Sequence, residues 1–128
     1  MRWNNARLVL GLVIAAGTAV AHHSFEAEYD DKRTANLTGV VTKVDWVNPH
    51  AYIFINMKDE SGAAKELRIE LGPPYALVRG GWKKDTVKIG DTITVENAAL
   101  AKNPANNWAG SLPTTFLLRP DGSKLPMR

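Results

Sequence analysis

Three histidines are the side chains best suited to chemistry in this sequence, and they fall in two places. His22 and His23 stand side by side near the N-terminus, and His50 ends the run Trp46-Val47-Asn48-Pro49-His50. Cleavage just before His22 would leave an α-amino group, of reference pKa about 7.7 to 8.0, beside an imidazole of about 6.5, so both offer neutral nitrogen near neutral pH. A terminal histidine of that kind chelates through its amine and ring together. A second imidazole from His50 would complete a three-nitrogen tetragonal environment of the kind that suits Cu(II) or Ni(II). Copper is the expected ion. Nickel and zinc fit less well, since zinc usually takes four tetrahedral ligands. His23 offers another route, through the amine and the intervening amide. The plainer reading is that His22 and His23 are polar residues tolerated at a cleavage site, and that His50 caps a turn through a backbone hydrogen bond.

The segment that would create this terminus is residues 1–21, read as a secretory signal peptide. It has Arg2 and Arg7, an apolar run from Leu8 to Ala16, and the small-residue sequence Ala19-Val20-Ala21 before the expected cut. Leu8 to Val20 is 13 residues, short of the roughly 20 that cross a bilayer. The expected mature protein is therefore periplasmic or secreted, with no stable membrane anchor.

Removing 21 residues leaves 107, enough for one core. It also leaves 14 basic against 13 acidic side chains, so the formal charge falls from +3 to +1. The charges are interspersed, and only Arg79, Lys83, Lys84 and Lys88 form a loose basic group, so no nucleic-acid partner is expected. With no cysteine there is no disulfide frame, no thiolate metal site and no thiol nucleophile. Ser24, Ser61, Ser111 and Ser123 lack a nucleophile-elbow context, and no glycine-rich phosphate cradle is present, so no catalytic residue is assigned and an enzyme is not expected.

The elements that must position the histidines read as β-structure. Residues 22–36 are polar and acidic, with Phe25 and Tyr29 as apolar anchors, and suggest an extended, partly docked arm before a single β domain over residues 37–128. Leu37 to Val47 is a long strand with Val40, Val44 and Trp46 on one face and Leu37, Val41 and Val47 on the other. Asn48-Pro49-His50 turns a corner, because proline lacks the ladder N–H. Ala51 to Met57 and Glu66 to Leu71 form a hairpin through Asp59-Glu60-Ser61-Gly62, with Leu67, Ile69 and Leu71 inward and Glu66, Arg68 and Glu70 outward. Gly72-Pro73-Pro74 leads into a short helix, Tyr75 to Arg79. A fourth strand, Thr92 to Ala98, a long loop over Lys102 to Gly110 and a fifth strand, Thr114 to Arg119, complete the chain. Three strands, a short helix and two strands is the order of a five-stranded OB-like barrel, with an open sandwich as its rival.

The signal segment running into Ala21-His22-His23-Ser24-Phe25, the stretch Gly39-Val40-Val41-Thr42-Lys43-Val44-Asp45-Trp46-Val47-Asn48-Pro49-His50, and Gly81-Trp82-Lys83-Lys84-Asp85 followed by Gly90-Asp91 together resemble a family of small exported bacterial proteins of unknown function. The likeness covers nearly the whole mature chain. It implies export and a small β domain, and carries no activity, cofactor or catalytic residue with it. The chain departs from that pattern over Asn103 to Pro113, which is longer and richer in asparagine and proline.

Two functions of different class follow. One is a periplasmic metal-binding protein, a carrier or sensor of a copper-like ion, with His22, His23 and His50 as ligands. The other is a binding module that holds an oligosaccharide, peptide or protein partner, with Trp46, Tyr52 and Trp108 as contacts.

Overall fold

The computed structural model describes residues 24–128. The expected signal peptide, His22 and His23 lie outside the described residues. After a helical turn over residues 24–28, the chain forms β1 (Tyr29–Asp45), β2 (Tyr52–Lys58), β3 (Ala64–Glu70), α1 (Pro74–Arg79), β4 (Thr92–Ala101), β5 (Trp108–Gly110), β6 (Phe116–Leu118) and β7 (Lys124–Pro126). The sheet order is β1-β2-β3-β5-β4-β6-β7, and β1 also pairs with β4. That second pairing closes β1-β2-β3-β5-β4 into a five-stranded barrel, with β3 and β5 parallel and the other pairs antiparallel. The all-β, OB-like expectation holds, and the open sandwich does not.

The barrel is filled by alternate residues of its strands, among them Val41, Ile53, Ile55, Ile69 and Val95, all nearly or fully inaccessible. One end is stoppered by α1. Pro74 sits in its first turn, where a missing N–H costs nothing, and the helix buries Leu77. Trp82 then packs beneath it, its backbone N–H donating to Leu77 O at 2.9 Å and its indole N–H to Pro126 O at 2.7 Å. The exposed Arg79, Lys83, Lys84 and Lys88 surround this end as a solvated turn.

Two expectations about the strands need correction. First, β1 is not one uninterrupted alternation. Opposite β2 the register steps from Val41↔Ile55 to Lys43↔Phe54, so two residues of β1 oppose one of β2, a bulge that switches which face later side chains occupy. Leu37 and Val41 point into the barrel before it; Val44 and Trp46 pack against the core after it. Val47, expected on the face of Leu37 and Val41, is left 49% exposed.

Second, the barrel is closed by a segment read as loop. Trp108–Gly110, inside the expected Lys102–Gly110 loop, is the fifth barrel strand, whereas the expected fifth strand contributes β6, which pairs outside the closed ring with β4 and β7. A three-residue strand is too short to show alternation. Its two neighbours β3 and β4 impose it.

Candidate functional site

The corner between β1 and β2 carries His50. The Asn48–Pro49 peptide is cis, and the chain re-enters the sheet at Ala51, whose N–H donates to Gly72 O at 3.2 Å while its carbonyl accepts from Leu71 N at 2.8 Å. These bonds hold the corner against the end of β3. There Tyr52 stands opposite Glu70 and Phe54 opposite Arg68.

His50 Nδ1 lies 2.6 Å from Glu70 Oε1. The other carboxylate oxygen accepts the Tyr29 hydroxyl at 2.6 Å. Glu70 is thus held from both sides, and its main chain is fixed too, because Ser111 donates to Glu70 O through its N–H at 2.9 Å and its buried hydroxyl at 2.7 Å. The bland expectation for His50, a backbone hydrogen bond at a turn, is replaced by a side-chain carboxylate from the neighbouring strand. A carboxylate on Nδ1 orients an imidazole for ligation through Nε2.

Tyr29 reaches Glu70 across β5. Its ring lies against Gly110, where an added Cβ would stand 2.9 Å from Tyr29 Cδ2 and 2.7 Å from Phe25 Cε2. Only glycine lets both rings approach that closely. Phe25 stacks on Tyr29 with centroids 4.6 Å apart, and the Arg128 guanidinium covers Phe25 at 4.4 Å. Burial, reinforced by the hydrogen bond to Glu70, pushes the Tyr29 hydroxyl well above the ordinary tyrosine range. Tyr52 is also raised, by burial first and then by the Glu70 charge, with Arg68 opposing.

Arg68 completes the cluster. Its guanidinium lies over Tyr52 at 5.2 Å and over Trp108 at 4.6 Å from the ring centroids, a position set by the parallel register Arg68↔Trp108. Its polar contacts are long: Tyr29 Oη at 3.5 Å and Glu28 Oε2 at 3.9 Å.

Ser24, Glu28, His50, Tyr52, Arg68 and Glu70 line a cleft of about 250 Å³. Ser24, the first described residue, thus borders the same cleft as His50. A larger groove of about 580 Å³ on the other side of Phe25 carries Asp30, Asp31, Lys32 and Lys102 and none of the histidines. Among the described residues no three His, Asp or Glu side chains are grouped to hold a metal ion.

The three aromatic residues expected as ligand contacts separate. Tyr52 and Trp108 flank Arg68, whereas Trp46 packs on Trp82, with centroids 6.4 Å apart, at the core. The β1 bulge is what turns Trp46 away from that face. Sequence reasoning missed Glu70, Arg68 and Tyr29 as site residues. A signal was present: a turn centred on Ser61 sets Tyr52 opposite Glu70, with His50 two residues farther along.

Comparison with curated proteins gave no match, and comparison with solved structures gave none. A family model does match, over residues 9–107, taking in the corner, the cleft strands and most of the barrel. The chain belongs to that family, DUF6152, a family of unknown function.

Proposed function

We propose that this protein is an exported carrier or sensor of a copper-like ion, held between its mature N-terminus and the strand corner. In this reading the signal peptide is removed after Ala21, His22 chelates through its amine and ring, and His50 adds its Nε2. His23 is the alternative donor through the amide route. Copper is favoured over nickel and zinc because amine and imidazole nitrogens in a tetragonal set match Cu(II) preferences.

The observation that carries this reading is that Ser24 and His50 border one cleft. Two residues separate Ser24 from the proposed terminus, and two residues span at most about 7 Å of extended chain. The support for His50 as a ligand is its orientation by Glu70, the arrangement that metal-bound histidines usually have.

The test is a Cu(II) titration of protein beginning at His22, followed by calorimetry and by electron paramagnetic resonance. Submicromolar binding is expected, with nitrogen hyperfine structure. Acetylation of the His22 α-amino group should weaken binding strongly, because it removes the amine donor of the chelate. Unchanged copper affinity in both His22→Ala and His50→Ala would eliminate the proposal.

The second reading, a binding module for an oligosaccharide, peptide or protein partner, is favoured by Tyr52 and Trp108 flanking Arg68 on one outer face. It predicts that acetylation of the N-terminus is harmless and that Trp108→Ala removes binding.

A further inference from the structure

Arg68 is held in an unusual way for a charged side chain. Two aromatic faces clamp its guanidinium, while its Nε and the indole Nε1 of Trp108 are both buried with no hydrogen-bond partner among the described residues. Leaving polar donors buried and unpaired is unfavourable, so ring stacking rather than hydrogen bonding orients this group. Its outer nitrogens are under-used as well: among the described residues Nη2 makes the 3.5 Å and 3.9 Å contacts with Tyr29 and Glu28. The Glu28 carboxylate is about half exposed, and an ion pair of that length at the surface contributes little. Glu70, the other carboxylate in the cleft, is already committed, one oxygen to His50 and the other to Tyr29.

We propose that Arg68 forms a carboxylate-binding subsite, its clamped guanidinium presenting its outer nitrogens into the cleft to the carboxylate of a small organic acid. A guanidinium whose plane is fixed matches a carboxylate's two oxygens in a paired, fork-like contact that a lysine cannot reproduce. The cleft volume of about 250 Å³ falls just below the usual range for drug-sized ligands, which limits the ligand to a small acid. Glu28 yields the position by swinging into solvent. The subsite needs no metal, so it goes beyond the copper reading and stands or falls separately from it.

The experiment uses the mature protein in buffer freed of metal by a chelating resin, since soluble chelators themselves carry carboxylates. The Trp108 indole N–H resonance is followed during titration with acetate, with acetamide and sodium chloride at equal concentration as controls. Acetate should shift this resonance saturably in the millimolar range, and neither control should. Arg68→Lys, which keeps the charge, should weaken half-saturation by about tenfold through loss of the paired contact, and Arg68→Met should abolish it. Equal shifts with acetamide or chloride, a response that never saturates, or wild-type half-saturation in Arg68→Lys would each overturn the proposal. Because the metal is absent, none of these results bears on copper binding.

Discussion

The imidazole of His50 and the carboxylate of Glu70 meet at 2.6 Å although 20 residues separate them. The β2–β3 hairpin brings them together, and Tyr29 locks the far side of the carboxylate. Glu70→Gln should therefore act on both stability and ligation. The Tyr29 and His50 donors lose a charged acceptor, a cost of about 1–3 kcal/mol, readable by urea denaturation. Copper affinity should fall about 10- to 100-fold, the usual effect of losing a carboxylate that orients a metal-bound histidine. Copper binding as tight as in the unaltered protein would mean that His50 is not a ligand.

Gly110→Ala tests the path of the N-terminal turn. The new Cβ would meet Phe25 and Tyr29 ring atoms at 2.7 and 2.9 Å, and rings packed on a barrel strand do not yield freely. Overpacking of this kind costs about 1–3 kcal/mol. The expected outcome is a folded barrel with lowered thermal stability and weakened copper binding. Calorimetric unfolding and the copper titration on the same sample check both, and an unaffected melting temperature would refute the close packing.

Tyr29 sets an alkaline limit. Its hydroxyl ionises well above the ordinary value of 10.0 because burial, and then the Glu70 hydrogen bond, favour the neutral form. A group whose folded-state pKa is raised stabilises the native state fully below its unfolded pKa, and that contribution is lost as pH rises beyond it. Stability should thus fall as pH climbs past about 10. Absorbance at 295 nm should show one tyrosine ionising only together with unfolding. Tyr29→Phe should abolish that late step, and its persistence in the variant would assign it to another residue.

Trp82 separates stability from the cleft. Trp82→Phe leaves the Pro126 carbonyl without its indole donor and should cost about 1–3 kcal/mol. Since Trp82 packs at the α1 end with Trp46 and lines no part of the cleft around His50, copper affinity should stay unchanged. A parallel loss of copper binding would show that the packing around Trp82 and the cleft are coupled.

The local patterns in the chain were enough to locate most of the barrel. Alternating Leu67, Ile69 and Leu71 produce the buried side of β3 and the strand's end, and Gly72-Pro73-Pro74 starts α1, because each reading depends on side-chain periodicity or backbone restriction within a few residues. The sequence also singled out His50 and the anchors Phe25 and Tyr29. Only the tertiary structure decided that β5 is Trp108–Gly110, that a bulge sends Trp46 to the core and that Glu70, Tyr29 and Arg68 surround His50. Those outcomes depend on register between strands far apart in the chain, and a one-residue slip in register moves a side chain to the opposite face. Residue types near one another in sequence carry the periodicity, whereas the meeting of His50 with Glu70 exists only after the hairpin and the closing β1–β4 pair have formed.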